Sequence, residues 1–305
     1  MSNKNAIEVS KLFKEYSNNI IALNNIDLNI PYGSIFGLLG PNGAGKSTFI
    51  NILAGLASKS SGKVKICDID IDLDPKTARG AIGVVPQEVN IDPYFTPIEI
   101  LNNQAGYYGI SSKDMKNKTI LKELNLSSKT NAYSRSLSGG MKRRLMIAKA
   151  IVHQPPVLVL DEPTAGVDVE LRKKLWNYIK KLNKNGTTII LTTHYLEEAE
   201  KLCDQIAIIN KGKLIVSKTK SELLKIIDTK EIHIQLKQPL DKIPTNLRPY
   251  IFKHNKDSLI LRYKKNKTST GKIIDLAVKN KLNILELNTR ETDLEEIFLK
   301  LLKFK

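Results

Sequence analysis

Cysteine is scarce in this chain of 305 residues: there are two, Cys67 and Cys203, far apart and with no CxxC partner. That excludes a disulfide scaffold and a cysteine-based zinc site, and fits the reduced thiols of a cytosolic protein. No apolar run approaches the roughly 18 residues that a membrane-spanning helix needs. Met1 to Glu8 lacks the apolar core of a signal peptide, so secretion is not expected. Internal repeats and low-complexity linkers are absent as well. Acidic residues are in deficit, 31 against 48 basic ones, for a net charge of +17. A surplus of that kind can serve nucleic acid or an anionic membrane surface. Here Lys, Asn and Ile are abundant throughout, and the surplus reads as compositional bias that aids solubility. Residues 229–305 hold 17 basic and 9 acidic residues, a net of +8, dispersed among apolar positions rather than clustered.

What is present is ordinary for a globular protein, 41% hydrophobic and 26% charged, which excludes a disordered or fibrous chain. The length suits about two domains, each able to bury its own core. Short apolar runs predict strands at Ile26–Ile30, Ile35–Leu39, Ile82–Val85, Val157–Leu160, Thr188–Leu191 and Ile206–Ile209. Unbroken runs such as Val157 to Leu160 suit parallel strands covered on both faces. Helical stretches lie between them, as at Val169–Lys184 and Tyr195–Leu202, the pattern of an α/β sheet with helices on its faces. Pro97 to Ser136 interrupts this with helical stretches and no clear strand, an inserted helical subdomain. Gly186 and Gly212 fall where a helix end and a hairpin turn belong. After Lys218 the texture changes. A helical stretch over Ser221–Asp228 leads to strand-like Glu231–Leu236, Ser258–Tyr263 and Leu282–Leu287 and a helix over Gly271–Asn280. In a final helix Leu294, Ile297, Phe298 and Leu301 follow the i, i+3, i+4, i+7 spacing. The expectation is a small mixed α/β domain.

The chemistry is concentrated in a few stations. Gly40-Pro41-Asn42-Gly43-Ala44-Gly45-Lys46-Ser47 fits G-x-x-x-x-G-K-[ST], follows a predicted strand and precedes a helix opening at Thr48. Glycines let backbone N–H groups turn inward, and those amides with the helix N-terminus make an anion cradle. Lys46 then reaches the β- and γ-phosphates of a nucleotide, and the Ser47 hydroxyl ligates Mg²⁺. Asp161 and Glu162 leave the strand Val157–Leu160 at its C-terminal end, where ligands of open α/β sheets bind. Asp161 suits the Mg²⁺ shell through water, and Glu162 suits a general base for an attacking water. Gln87, just past Ile82–Val85, carries a carbonyl that can bind Mg²⁺ or water. His194 ends another strand at the same edge. Ser138 is a natural N-cap for a helix-like run to Ala150, and Gly139 and Gly140 allow close backbone approach.

Taken in this order, these residues resemble the ATP-binding cassette of ABC transporters, over roughly residues 6–228. The resemblance rests on the Walker A loop Gly40–Ser47, the Q-loop Gln87, the signature Leu137-Ser138-Gly139-Gly140-Met141, the Walker B acids Asp161 and Glu162, the D-loop Ala165 to Asp168 and the H-loop His194. The signature separates this family from other phosphate-loop proteins. Its fifth position, often Gln, is Met141 here. The resemblance implies a phosphate-loop NTPase cassette with a mixed sheet over residues 1–228, a helical insertion near 90–140, and a small C-terminal α/β accessory domain over 229–305. It further implies ATP and Mg²⁺ as cofactors and a head-to-tail homodimer. Each ATP then lies between one Walker A loop, residues 40–48 with Thr48 included, and the other subunit's Ser138-Gly139-Gly140, near Asp168. Tyr16 matches the aromatic that stacks on adenine.

Tyr107-Tyr108-Gly109, Lys142-Arg143-Arg144 after Met141, and the tail Thr292 to Leu299 resemble the exporter branch for drugs and polysaccharides. The function so implied is ATP hydrolysis at the cytoplasmic side of the membrane, driving a separate transmembrane permease whose cytoplasmic helix is gripped near Gln87 and Tyr94–Tyr108. The alternatives are an importer ATPase subunit, against which the small basic tail weighs, and a soluble ABC ATPase acting on ribosomes or nucleic acid. The latter usually has two cassettes, coiled coils or zinc inserts, and this chain has a single Walker A loop, so no nucleic-acid partner is expected.

Overall fold

The computed structural model describes residues 5–17, 19–226, 229–240, 242–291 and 293–303. They divide into two units, Met1–Lys220 and Ser221–Lys305. The first opens with a hairpin, β1 (Asn5–Tyr16) and β2 (Ile20–Pro31), and continues through β3 (Ile35–Leu39), α1 (Lys46–Leu53), β4 (Ser61–Ile66), β5 (Ile69–Asp70), α2 (Pro75–Gly80) and β6 (Ile82–Val85). A strand-free helical stretch follows, α3 (Pro97–Tyr107), α4 (Asn117–Glu123) and α5 (Gly139–Ile151). Strands and helices then alternate as β7 (Val157–Asp161), α6 (Val169–Lys184), β8 (Thr188–Thr192), α7 (Leu196–Leu202), β9 (Gln205–Asn210) and β10 (Lys213–Thr219).

Two sheets build this unit. The first is antiparallel, in the order β2-β1-β4-β5. The second runs β10-β9-β3-β8-β7-β6, parallel except for the antiparallel β9–β10 hairpin. Every residue of β3, β7 and β8 is buried, as parallel strands covered on both faces must be. One core lies between the sheets, where Leu23, Ile26 and Ile66 of the first meet Phe36, Val159 and Ile190 of the second.

All six predicted strands of this unit are present, but the first sheet is largely absent from the sequence pattern. β1 escapes because its pairing slips at bulges between Val9 and Leu12 and beyond, with Lys11 at φ 48. A bulge breaks the alternation that marks a strand. β4 carries only Val64 and Ile66 toward the core, too few to register as a run. β2 starts six residues before the predicted Ile26, because its first residues are exposed and polar-flanked at the hairpin end.

The second unit opens within α8 (Lys220–Leu224). Its elements are β11 (Thr229–Leu236), β12 (Ile251–His254), β13 (Ser258–Lys264), α9 (Thr270–Lys279), β14 (Ile284–Glu291) and α10 (Leu294–Lys303). The sheet is antiparallel in the order β12-β13-β11-β14. Ile232, Ile234 and Leu236 of β11 point to one face and pack with Leu259, Leu261, Ile273 and Ala277. The predicted helix over Ser221–Asp228 is shorter, ending at Leu224; Asp228 lies outside the described residues. Thr292 of the tail motif lies outside them too; Leu294 and Ile297 are fully buried, as their spacing predicts. β12 is a four-residue edge strand, mostly exposed, and so leaves no apolar signature.

Ile232 sits on an interior strand of this sheet with no exposed surface. Ile232→Ala should cost about 2–5 kcal/mol through lost burial and a residual cavity. Hydrogen exchange measured by mass spectrometry should then rise in residues 229–236 and 258–264; unchanged exchange there would contradict this core.

Candidate functional site

The glycine-rich loop spans the gap from β3 to α1. Gly43 and Gly45 have φ of 76 and 107, and Gly45 is the N-cap of α1. The loop is wedged against two other strands. A Cβ at Gly40 would lie 2.2 Å from the Ile209 carbonyl oxygen, and one at Gly45 would lie 2.5 Å from that of Ala22. The Gly212 N–H donates to the Ala44 carbonyl at 3.0 Å, and the Asn24 N–H to the Gly212 carbonyl at 2.7 Å. β2 and the β9–β10 turn thus hold the loop from both sides. Lys46 curls over it, its Nζ donating to the carbonyls of Gly40 at 2.7 Å and Pro41 at 3.0 Å. Burial lowers the Lys46 ammonium pKa, and the fields of Glu162 and Asp161 work against that shift. Ser47 is exposed, Thr48 half-buried, and Pro41 and Asn42 lie at the surface.

The acids stand at the C-terminal edge of the central sheet. β7 and β8 pair in register, Asp161 opposite Thr192, and Thr192 in turn pairs with Leu38 at the start of the loop. The Thr192 hydroxyl donates to Asp161 Oδ1. Burial pushes the Asp161 carboxyl above its usual range, while Thr192, Lys46 and Arg143 hold it down. Glu162 turns away from the strand at φ 48, a left-handed conformation that costs a non-glycine residue about 1–2 kcal/mol. Its backbone is tied on both sides. The N–H donates to the Thr192 carbonyl at 3.1 Å and hydroxyl at 3.0 Å, and the carbonyl accepts from Ala165 N–H and from Arg143 Nη2 at 3.1 Å. At the far end of the side chain, Gln87 Nε2 donates to Glu162 Oε2 at 3.0 Å and His194 Nδ1 lies 3.1 Å from the same oxygen. A carboxylate only accepts, so this contact puts the proton on Nδ1. Loops after β6, β7 and β8 therefore converge on one carboxylate.

Ser138, Asp168 and Tyr16 stand apart from that cluster. Ser138 caps α5, its Oγ accepting from the Met141 N–H at 3.3 Å, with Gly139 exposed beside it. Gly140 sits against α6, where a Cβ would come within 2.3 Å of Leu171 Cδ2. Asp168 caps α6 through Oδ1 and the Leu171 N–H at 2.8 Å. Tyr16 ends β1 as an exposed residue, with Lys14 Nζ 4.7 Å from its ring centroid. Among the described residues no hydrogen bond or ion pair links these three to the Gly40–Ser47 loop or to Glu162.

Arg143 is a site residue that the sequence pattern did not single out for this place. It is 4% exposed and bonds the carbonyls of Pro86 and Glu162, so one guanidinium holds both the Gln87 and the Glu162 loops. Burial lowers its pKa, and Asp161 and Glu162 counter the shift. A charged residue five positions past the Ser138 cap, in a helix whose other inward residues are apolar, is the only local signal. Thr192 belongs to no motif, and its place opposite Asp161 comes only from the pairing of β7 with β8.

The residues fit a phosphate-bearing ligand and a hard cation. Crowded glycines, an ammonium and a helix N-terminus are anion-binding chemistry. Among the described residues no group of three or more His, Cys, Asp or Glu forms a metal cage. Ser47, Gln87 and Asp161 offer instead the sparse oxygen donors of a site where Mg²⁺ keeps waters and phosphate oxygens. Gly45→Ala should cost at least about 1–2 kcal/mol in stability, since φ is left-handed and the Ala22 carbonyl blocks the Cβ. Distortion on that scale should weaken ATP binding by about tenfold or more, measured with a fluorescent ATP analogue beside a thermal melt.

The family described as "ABC transporter" matches residues 23–165. A Nod factor export ATP-binding protein I of Cupriavidus pinatubonensis is 40% identical over 220 residues, covering 72% of this chain and 67% of that protein. The protein of the same name from Bradyrhizobium diazoefficiens is 35% identical over 304 residues, covering 99% of this chain and 97% of that one. Among solved structures, an ATP-binding subunit of an ABC transporter matches with TM-score 0.67 and 28% identity, over 72% of this chain and 92% of that one. An ATP-binding cassette dimer bound to ADP and Pi matches with TM-score 0.63 and 30% identity, over 70% and 98%. With the loop, the two acids and the histidine at one sheet edge, and with relatives matching along most of their length, the chain belongs to the ATP-binding subunits of ABC transporters and is an ATPase.

Proposed function

We propose that this chain is the ATPase subunit of an exporter, that it works as a head-to-tail homodimer, and that it drives a separate membrane permease from the cytoplasmic side. Export is supported by the relatives named for Nod factor export, one of which aligns with nearly the whole chain, tail included. Among the described residues no helix is long and apolar enough to cross a membrane. In this reading residues 1–228 carry the ATP chemistry and residues 229–305 are an accessory domain.

The observation that carries the catalytic reading is the convergence of Gln87 and His194 on Glu162 Oε2. That contact fixes the carboxylate and leaves Oε1 to take a proton from the attacking water. As the water oxygen bonds to the γ-phosphorus, the bond to the bridging oxygen breaks and ADP leaves with the electron pair. Positive charge near the phosphates comes from Lys46, released from its loop carbonyls. The backbone of Gly40, Pro41, Asn42, Gly43, Ala44 and Gly45, with Ser47 and Thr48, cradles the phosphates. Ser47, Gln87 and, through water, Asp161 would hold Mg²⁺, which would supply positive charge beside the phosphate oxygens. Ser138, Gly139, Gly140 and Asp168 of one subunit close over the nucleotide of the other, which accounts for their distance from the loop in their own chain. Tyr16 offers its ring to adenine. A cleft of about 290 Å³ lined by Asn90, Gln104, Tyr108 and Lys149, with exposed Tyr107 on the hollow next to it, receives the permease helix.

Lys46→Ala should weaken ATP binding and abolish turnover, because it leaves phosphate charge uncompensated in a partly dehydrated site. ATPase within a few-fold of wild type would refute the phosphate-loop assignment. Glu162→Gln should lower turnover by about 10²–10⁴-fold, the usual contribution of a general base, while ATP affinity holds. Size-exclusion chromatography with Mg-ATP should then show a shift from monomer to dimer, lost on adding Ser138→Arg. A dimer that forms equally well with Ser138→Arg would rule out the composite site.

A further inference from the structure

Glu198 is a charge in the interior that the scheme above does not use. It lies in the first turn of α7, four residues past His194, with no exposed surface. Three donors meet it. Trp176 Nε1 donates to Oε1 at 2.7 Å, the Thr164 hydroxyl is 3.1 Å from each carboxylate oxygen, and the Thr193 hydroxyl is near enough to act on its charge. These partners are not neighbours in sequence. Thr164 is two residues past Glu162, in the turn where Ala165 N–H donates to the Glu162 carbonyl. Thr193 immediately precedes His194, and its hydroxyl accepts from the Tyr195 N–H at 3.0 Å. Trp176 belongs to α6, the helix that Asp168 caps.

A second connection runs beside the first. Arg172, whose charge also acts on Glu198, reaches the Val167 carbonyl at 3.4 Å and stacks 4.5 Å from the Tyr195 ring centroid. The Tyr195 ring lies 4.0 Å from that of His194. The carboxylate is thus bonded to the Glu162 loop and faced by the Thr193 hydroxyl of the His194 loop, the two loops whose side chains meet at Glu162 Oε2.

We propose that Glu198 is a positioning residue for hydrolysis, joining the Glu162 loop through Thr164 to the His194 loop through Thr193 and anchoring both on α6 through Trp176. This rests on the reading of Glu162 as the general base. Burial of a lone carboxylate is costly, and core stability alone is served as well or better by an apolar side chain of that size. What the carboxylate adds is direction. It only accepts, and indole N–H only donates, so the three donors are held in one arrangement. A carboxamide at this position must turn its NH₂ toward a hydroxyl, which then has no acceptor for its own proton at that end of the side chain.

The test is Glu198→Gln in the full-length chain, with Thr164→Val and Thr193→Val as independent variants that each remove one donor and leave the charge in place. Displacement of reacting groups by about 1 Å can cost about 100-fold. Glu198→Gln should therefore lower kcat by about 10–100-fold, with the KM for ATP and the affinity for a fluorescent ATP analogue within about threefold of wild type. Each threonine variant should lower kcat with KM held. In a His194→Ala background, Glu198→Gln should add less than about twofold, because it acts through the loop that His194 occupies. An unchanged kcat in Glu198→Gln, or in both threonine variants should Glu198→Gln fail to fold, overturns the proposal. So does a loss that multiplies fully with that of His194→Ala, or one confined to KM. Glu162→Gln is run alongside: normal turnover there refutes the general-base reading itself, whereas a dead Glu162→Gln beside an active Glu198→Gln refutes only the role of Glu198.

Discussion

The pairing of β7 with β8 is the constraint on which the rest of the site depends. Asp161 faces Thr192 across a ladder whose every residue is buried, and a slip of one position would turn both acids away from the loop. The same threonine anchors the departure from the strand. Its hydroxyl is shared between the Asp161 carboxylate and the Glu162 N–H, and its carbonyl takes the Glu162 N–H as well. Glu162 is held in a left-handed turn because both of its backbone polar groups are bonded there. That turn is what aims the side chain toward Gln87 and His194 rather than along the strand.

Charge is gathered at this edge and compensated where it lies. Lys46, Asp161, Glu162 and Arg143 are each wholly or partly buried, and each acts on the titration of at least one other. Desolvation pushes Lys46 and Arg143 down and Asp161 up, toward neutrality; the opposite charges nearby push back. A buried charge is tolerated on those terms, and removing one partner leaves the others uncompensated. Arg143 adds a geometric role, since its two bonds span from the strand end before Gln87 to the turn at Glu162.

The second unit follows the same economy at smaller scale. Its sheet packs one face with isoleucine and leucine and puts a charged cluster on the other strand positions, where Arg262 makes two bonds to Glu231 at 2.8 and 2.6 Å and His233 approaches the same carboxylate at 3.0 Å. Arg262 also lies 3.4 Å from the Phe252 ring centroid, so the surplus basic charge of this region is in part paired or stacked rather than presented as a uniform patch.

Features set by a few neighbouring residues were legible in the sequence. The Gly40–Ser47 spacing with its flanking strand and helix, the apolar run into Asp161 and Glu162, the Ser138 cap and the full span of α6 all depend on local chemistry, and the structure has them as read. Features made by distant residues were not. β1 is hidden by its bulges, Arg143 finds partners 57 and 19 residues away, and the close approaches that demand glycine at 40 and 45 come from Ile209 and Ala22. The sequence by itself determined the spacing of the Gly40–Ser47 loop and the placement of Asp161 and Glu162 at a strand end. Only the tertiary structure decided that Gln87, Glu162 and His194 meet at one oxygen, because that meeting depends on the order and register of strands far apart along the chain.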